Sequence, residues 1–348
     1  MSPMEGATET SSDKRPVILD VDTGIDDMVA LLIAATAPEL NLRGVTCVAG
    51  NVELHDVARN TGKILRLVGR GDVPVSIGAA RPMVRRLRTA YDTHGPTGTG
   101  YVELRGEDRT LGKTEFTPVP ASRYLGAHVQ RHPGDVTVVA LGPLTNLGTA
   151  ISERVDLRGG LRELIWMGGT LEERGNTTET GEWNACVDPE AAELCLAKGA
   201  ISRIFPLDAT QDVIFTMDDL RALPDTHLAG IVRDAVRYYV GFHRQADGID
   251  GCYLHDPVTL VASLLRPDLV TEEVSEHLAC DTGEDPALAG IPVVVVSATD
   301  PTQTRAVALG AVDYLRKPVD VDTLTSKVHH HADPDKDEAE DTSHGLTK

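Results

Sequence analysis

The 348-residue sequence has no apolar run approaching the ~20 residues of a membrane-spanning helix, so no transmembrane anchor is expected. The polar opening stretch, residues 1–15, lacks the apolar centre of a secretory signal peptide. Cysteine is scarce: Cys47, Cys186, Cys195, Cys252 and Cys280 are odd in number and form no Cys-x-x-Cys pair. A disulfide or zinc framework is therefore not expected, and reduced thiols in a cytoplasmic protein are. Positive charge is also short, with 33 Lys+Arg against 53 Asp+Glu and a formal net charge of −20. That balance argues against nucleic acid or an anionic membrane as partner, since both need a positive field. What is present is a foldable mixture, 41% hydrophobic and 25% charged, long enough to bury a core in one large domain or two ordinary ones.

Residues 1–14 hold nothing to bury and read as a disordered tail, and residues 329–348 as a second, acidic one. Between them the pattern alternates. Residues 17–19, 45–48, 136–141, 164–167 and 204–207 read as buried strands. Residues 26–35, 52–68, 189–197 and 228–242 read as helices. Alternation of this kind predicts an α/β fold, a mostly parallel, Rossmann-like sheet with helices on both faces. Ligands in such folds sit beyond the carboxyl ends of the strands.

At the end of the first predicted strand stands Asp20-Val21-Asp22-Thr23-Gly24-Ile25-Asp26-Asp27, four carboxylates within eight residues. Gly24 permits a tight strand-to-helix turn. A helix N-terminus carries only about half a positive charge, too little to offset four acids. A hard divalent cation with oxygen ligands is the natural counterpart, and Ca2+ accepts more and looser ligands than Mg2+. The competing reading leaves Asp26 and Asp27 at the helix start and Asp20 and Asp22 solvated.

This cluster resembles that of the inosine-uridine preferring nucleoside hydrolases, and further motifs follow in the family's order. Ala49-Gly50-Asn51-Val52 resembles the second-strand motif, and Leu141-Gly142-Pro143-Leu144-Thr145-Asn146-Leu147 the central strand-to-helix turn. Trp166-Met167-Gly168-Gly169, Asn176, Glu182-Trp183-Asn184 and Asp188-Pro189-Glu190 resemble the ribose-binding segment, and His255-Asp256-Pro257 the C-terminal motif. The resemblance implies one nucleoside hydrolase domain over residues 15–285 that cleaves ribonucleosides to ribose and free base. It implies a small-molecule nucleoside as partner and a dimer or tetramer as assembly.

The resemblance also implies roles. Asp22 would be both a Ca2+ ligand and the general base for water; Asp27, Asp256 and the main-chain carbonyl of Leu141 would complete the ligands. Asp20 would orient the site from behind. Asp26, Asn51, Met167, Asn176, Glu182 and Asn184 would bind the ribose segment. His255, with an ordinary imidazole pKa near 6.5, would assist the leaving base, and His94 would line the base pocket. His243 and Arg244, beside the predicted helix over 228–242, could face the base as well, the weaker of the readings open for them.

Residues 286–328 resemble something else, the back part of a response-regulator receiver domain, through Ile291-Pro292-Val293-Val294-Val295-Val296-Ser297-Ala298 and Asp313-Tyr314-Leu315-Arg316-Lys317-Pro318. No phospho-acceptor Asp precedes them on a strand, so the segment reads as an added β-α-β-α piece or a fusion, not a working switch. Two other functions stay open on the sequence. Asp20-x-Asp22 also resembles the haloacid dehalogenases, implying a Mg2+-dependent phosphatase with Asp20 as nucleophile. The altered C-terminus also allows a catalytically silent binding module.

Overall fold

Strand β1 (Arg15–Val21) carries Val17, Ile18, Leu19 and Val21, none with exposed surface. A continuous apolar run is what a strand covered on both faces requires. The computed structural model describes residues 14–104, 116–273, 278 and 280, and the backbone of 294–297 and 313–316. The chain divides into two compact units, Met1–Leu269 and Val270–Lys348.

In the first unit β1 is followed by α1 (Ile25–Thr36), β2 (Leu40–Cys47), α2 (Leu54–Leu67), β3 (Val75–Ile77), α3 (Tyr91–His94) and β4 (Phe116–Thr117). Next come α4 (Ala121–Arg131), β5 (Thr137–Ala140), α5 (Thr145–Ser152), α6 (Leu157–Gly160) and β6 (Glu163–Met167). Then follow α7 (Trp183–Val187), α8 (Pro189–Ala197), β7 (Arg203–Phe205), α9 (Leu207–Thr210), β8 (Ile214–Thr216) and α10 (Met217–Ala222). The unit ends with α11 (His227–Ala246), β9 (Gly251–Tyr253), α12 (His255–Leu260), a π turn (Val261–Leu265) and a 3-10 turn (Pro267–Leu269).

Seven strands form one parallel sheet in the order β4-β3-β2-β1-β5-β6-β7. The chain winds outward from β1 through β2, β3 and β4, then returns to place β5 on the other side of β1. Helix α1 packs on α2, α11 and α12, while α5 packs on α4 and α8, so the helices fall into two layers. Right-handed crossovers put the helices of the two halves on opposite faces. The strand order reverses between β1 and β5, and that crevice is where ligands bind in open α/β sheets. Asp22 follows β1 and Leu141 follows β5, so the sheet itself aims the acidic cluster at the crevice.

The predicted elements are present with small shifts, and α8 has the predicted bounds. The edge strands β3 and β4, three and two residues long, carry too little periodicity to be read. Helix α11 runs to Ala246, with Asp247 capping its end, so His243 lies inside a helix rather than beyond one. The antiparallel pair of β8 with β9 was also not anticipated. Cys47, Cys186, Cys195 and Cys252 are free thiols. Among the described residues no helix is long and apolar enough to cross a membrane.

In the second unit β10 (Val294–Ser297) and β11 (Asp313–Arg316) pair in parallel, Val294 opposite Asp313 and Ser297 opposite Arg316. These are the two strand positions of the expected β-α-β-α piece. Its helices, the Lys317-Pro318 pair and the expected tails lie outside the described residues, Lys14 apart.

Candidate active site

Beyond β1 the chain turns at Gly24 into α1. A Cβ on Gly24 would stand 2.6 Å from Nδ1 of His94 and 2.7 Å from Nδ2 of Asn51, so no side chain fits. Asp20, Asp22, Asp26 and Asp27 are all buried. Oδ1 of Asp20 accepts from the Thr46 hydroxyl at 2.5 Å and from Nδ2 of Asn146 at 2.7 Å. Oδ2 of Asp22 accepts the Asn51 N–H at 2.7 Å. Oδ2 of Asp27 accepts the Gly24 N–H at 2.8 Å and Nδ2 of Asn51 at 3.2 Å. The other oxygens, Asp20 Oδ2, Asp22 Oδ1 and Asp27 Oδ1, are buried without a hydrogen-bond partner, as is Asp26 Oδ1. Helix α12 adds Asp256, and oxygens of Asp26, Asp27 and Asp256 lie within 4.8 Å of one another.

Burial, the largest cause, pushes Asp26 up to about 8, Asp20 to about 7 and Asp27 to about 6. Asp22 and Asp256 rise well above the carboxylate range, first through burial and then through the neighbouring acids. Orphaned buried oxygens in mutual repulsion are what a cation relieves, and an all-oxygen donor set suits a hard divalent ion. The donors present therefore fit a metal. The sequence-expected set of Asp22, Asp27, Leu141 and Asp256 overlaps this cluster, to which the fold adds Asp26. The Leu141 carbonyl stands at the end of β5 and accepts Nδ2 of Asn184 at 2.8 Å.

On the side of β6, Asn184 Nδ2 also donates to the Met167 carbonyl at 3.1 Å. Glu182 caps α7: its carboxylate accepts the N–H groups of Asn184 at 2.8 Å, Gly169 at 2.9 Å and Ala185 at 3.1 Å. Burial still pushes it up to about 7. Asn176 is exposed, and its Oδ1 accepts the Trp183 N–H at 2.9 Å, which ties the long loop back to α7. Thus Met167, Glu182 and Asn184 are drawn together, with Asn176 at the loop's outer edge.

A second group of side chains forms a row of rings. His94 lies 5.2 Å from Tyr239, Tyr239 4.6 Å from His243, His243 5.3 Å from Tyr253, and Tyr253 5.8 Å from His255. Nδ1 of His94 accepts the Ile25 N–H at 3.1 Å, which leaves the ring hydrogen on Nε2. Nδ1 of His255 is 2.7 Å from the Thr210 hydroxyl. Burial pushes both His94 and His255 down to about 3, with other imidazole charges adding to it. The ring of His255 is enclosed, and that burial is what moves it below the ordinary imidazole value.

A family model described as inosine-uridine preferring nucleoside hydrolase matches residues 17–327. The chain belongs to this family. The match continues through the segment resembling a receiver domain, and that second resemblance gains no support. Uridine nucleosidase 1 of Arabidopsis thaliana is 36% identical over 258 residues, 73% of this chain and 75% of that protein. The non-specific ribonucleoside hydrolase RihC of Escherichia coli is 37% identical over 257 residues, 74% and 81% of the two chains. Among solved structures, a purine-preferring ribonucleoside hydrolase from Gardnerella vaginalis superposes with a TM-score of 0.70 at 27% identity, covering 78% and 86% of the two chains.

In this nucleoside hydrolase the fold brings residues to the candidate site that the sequence did not single out. Thr46 and Asn146 hold Asp20, Thr210 holds His255, and Tyr239 and Tyr253 connect the histidines. Asn146 lay within a motif already noted. Thr210 and Tyr239 carry no local signal, because they meet the histidines only through tertiary packing.

Proposed function

We propose that the chain hydrolyses the N-glycosidic bond of ribonucleosides to ribose and a free base, a salvage reaction for purines or pyrimidines, with Ca2+ as its cation. The supporting observation is the buried acid cluster at the switch point, where four oxygens lack partners and three carboxylates share one small volume. Asp22, Asp27, Asp256, the Leu141 carbonyl and Asp26 are the groups that would hold the ion. When bound, a divalent cation offsets their charge and makes water more acidic.

The rest falls to the side chains. Asp22 Oδ1 is free to take the proton of attacking water, while Oδ2 stays anchored on the Asn51 N–H. Asp20 lies behind, oriented by Thr46 and Asn146. Glu182, Asn184, Asn176, Asn51, Asp26 and Met167 would bind the ribose hydroxyls and C1′ side. His94 presents an Nε2–H toward the base side, and His255 is positioned by Thr210 to hydrogen-bond the leaving base. A phosphatase using Asp20 is disfavoured, because that carboxylate is wholly buried and Oδ1 is engaged by two donors. The silent-module reading has nothing to support it, since no expected acid is missing. A cytoplasmic homodimer or homotetramer is the assembly we carry over from the resemblance.

Assaying inosine and uridine with Ca2+, with Mg2+ and with EDTA tests this reading. Cleavage with Ca2+ that is abolished by EDTA, and lowered at least about 10³-fold in Asp22→Ala, is the expected result. Undiminished cleavage by that variant would overturn the assignment.

A further inference from the structure

The segment between β6 and α7, residues 168–182, carries Asn176 and Glu182 on irregular backbone. Leu171, Glu172, Glu173, Arg174, Asn176 and the stretch 178–180 are exposed, so little apolar burial holds the segment in place. A loop of that kind is ordered by its polar ties or not at all.

One acid from a remote element supplies most of those ties. Oδ2 of Asp208, on α9, accepts the Leu171 N–H at 2.8 Å. Its Oδ1 accepts the Glu172 N–H at 2.7 Å and the Glu173 N–H at 3.0 Å. Three successive N–H groups converging on one carboxylate form an anion-binding nest, filled here by a side chain of the same chain. Hydrogen bonds to a carboxylate are stronger than those between neutral groups, which makes this a firm fastening. The Thr170 hydroxyl, 3.3 Å from Oδ2, donates to the Glu173 carbonyl at 2.6 Å and closes the turn around the carboxylate.

The neighbours of Asp208 extend the connection in both directions. The Leu207 N–H donates to the Gly169 carbonyl at 3.0 Å, and the Gly169 N–H donates to Glu182 at 2.9 Å. Two residues after Asp208 on the same short helix, Thr210 holds Nδ1 of His255, and α9 packs on α12.

We propose that Asp208 is a positioning residue that latches the ribose-binding segment, so that α9 sets the sugar side of the site through Asp208 and His255 through Thr210. The inference rests on the proposed nucleoside hydrolysis and adds a positioning residue to it. Without the latch only a fraction of molecules presents Asn176 and Glu182 to the sugar. Apparent affinity falls by that fraction, while substrate that has bound reacts at the unaltered rate. The signature is a change in KM rather than kcat, and free ribose, which has no base, reads the same change at equilibrium.

Asp208→Asn keeps the shape but turns one acceptor oxygen into an NH2 group facing N–H donors. In the full chain with Ca2+ it is expected to raise KM for uridine at least about 10-fold and to weaken inhibition by ribose by the same factor, with kcat kept within about threefold. Tryptic cleavage after the exposed Arg174 is expected to be at least about 10-fold faster in this variant, while cleavage elsewhere keeps its rate. Thr170→Val, on the loop itself, opens the turn without touching the sheet and is expected to raise KM and weaken ribose inhibition about 3- to 10-fold, again with kcat kept. Values of KM and of ribose inhibition within threefold of the unaltered protein in both variants would overturn the proposal. So would a fall in kcat larger than the rise in KM, or an unchanged rate of cleavage at Arg174 in Asp208→Asn. If the unaltered protein cleaves no nucleoside, the hydrolase reading fails, and the Arg174 rate still decides the latch.

Discussion

Removing the cation should make the stability of this protein fall as pH rises. Asp26 has its pKa pushed from 3.8 up to about 8 by burial and by Asp27 beside it. The folded state therefore keeps a proton that the unfolded chain releases near pH 4. Stability from this group is fully present below pH 3.8 and is lost as pH climbs toward 8, at about 1.4 kcal/mol per pH unit. Between pH 5.5 and pH 8 the loss is on the order of 3 kcal/mol, shared between Asp26 and the neighbouring Asp27, and Asp20, raised to about 7, acts in the same direction. For a unit of this size, 3 kcal/mol corresponds to a drop in Tm of about 6–12 °C. A divalent ion competes with those protons, so Ca2+ should restore more stability at pH 8 than at pH 5.5. Differential scanning calorimetry in EDTA and in Ca2+ at both pH values measures the difference. Titration calorimetry in two buffers of unlike ionisation enthalpy counts the protons released on binding. Asp26→Asn should raise the Tm in EDTA at pH 8. A Ca2+ effect of equal size at both pH values, or no proton release, would refute the reasoning.

Two further predictions concern the packing around the acids and histidines. Gly50→Ala would place a Cβ 2.2 Å from Oδ2 of Asp22 and 2.9 Å from Pro143, so Asp22 must move; kcat should fall at least about 100-fold and the Ca2+-dependent gain in Tm should shrink. An active, Ca2+-stabilised Gly50→Ala protein would count against Asp22 as base and ligand. Thr210→Val removes the 2.7 Å partner of His255 Nδ1 and leaves a buried ring nitrogen unpaired. It should cost about 1–3 kcal/mol, read as a kcat loss of roughly 5- to 150-fold with KM little changed, and Thr210→Ser should recover most of it. Steady-state kinetics on uridine decides the point.

The parts legible in the sequence are those whose chemistry is local. Four acids around one glycine between an apolar strand and a helix already imply a strand-end cation site, because the charges are too close to be ignored in any fold. Helix positions followed from periodicity for α1, α2, α8 and α11, while α4, although 11 residues long, was not read. The short edge strands β3 and β4 did not, since pairing with a neighbour rather than their own pattern makes them strands. His255 shows the limit most clearly. Its type and motif were plain, but its burial, a tertiary quantity that lowers its pKa, was not.

His243 and Asp247 stand four residues apart, and that spacing is visible on paper. Their surroundings are not. Only when α11 packs on α1 and α3 and β9 pairs with β8 do rings from residues 94, 239, 243, 253 and 255 form one row. The sequence by itself determined the alternating α/β order and the acids that demand a cation, because hydrophobic period and charge density are local properties. The tertiary structure decided where those acids meet Asp256, which imidazoles are buried, and which partners their ring nitrogens find. Burial and distance between remote segments govern all three, and neither exists until the chain has closed.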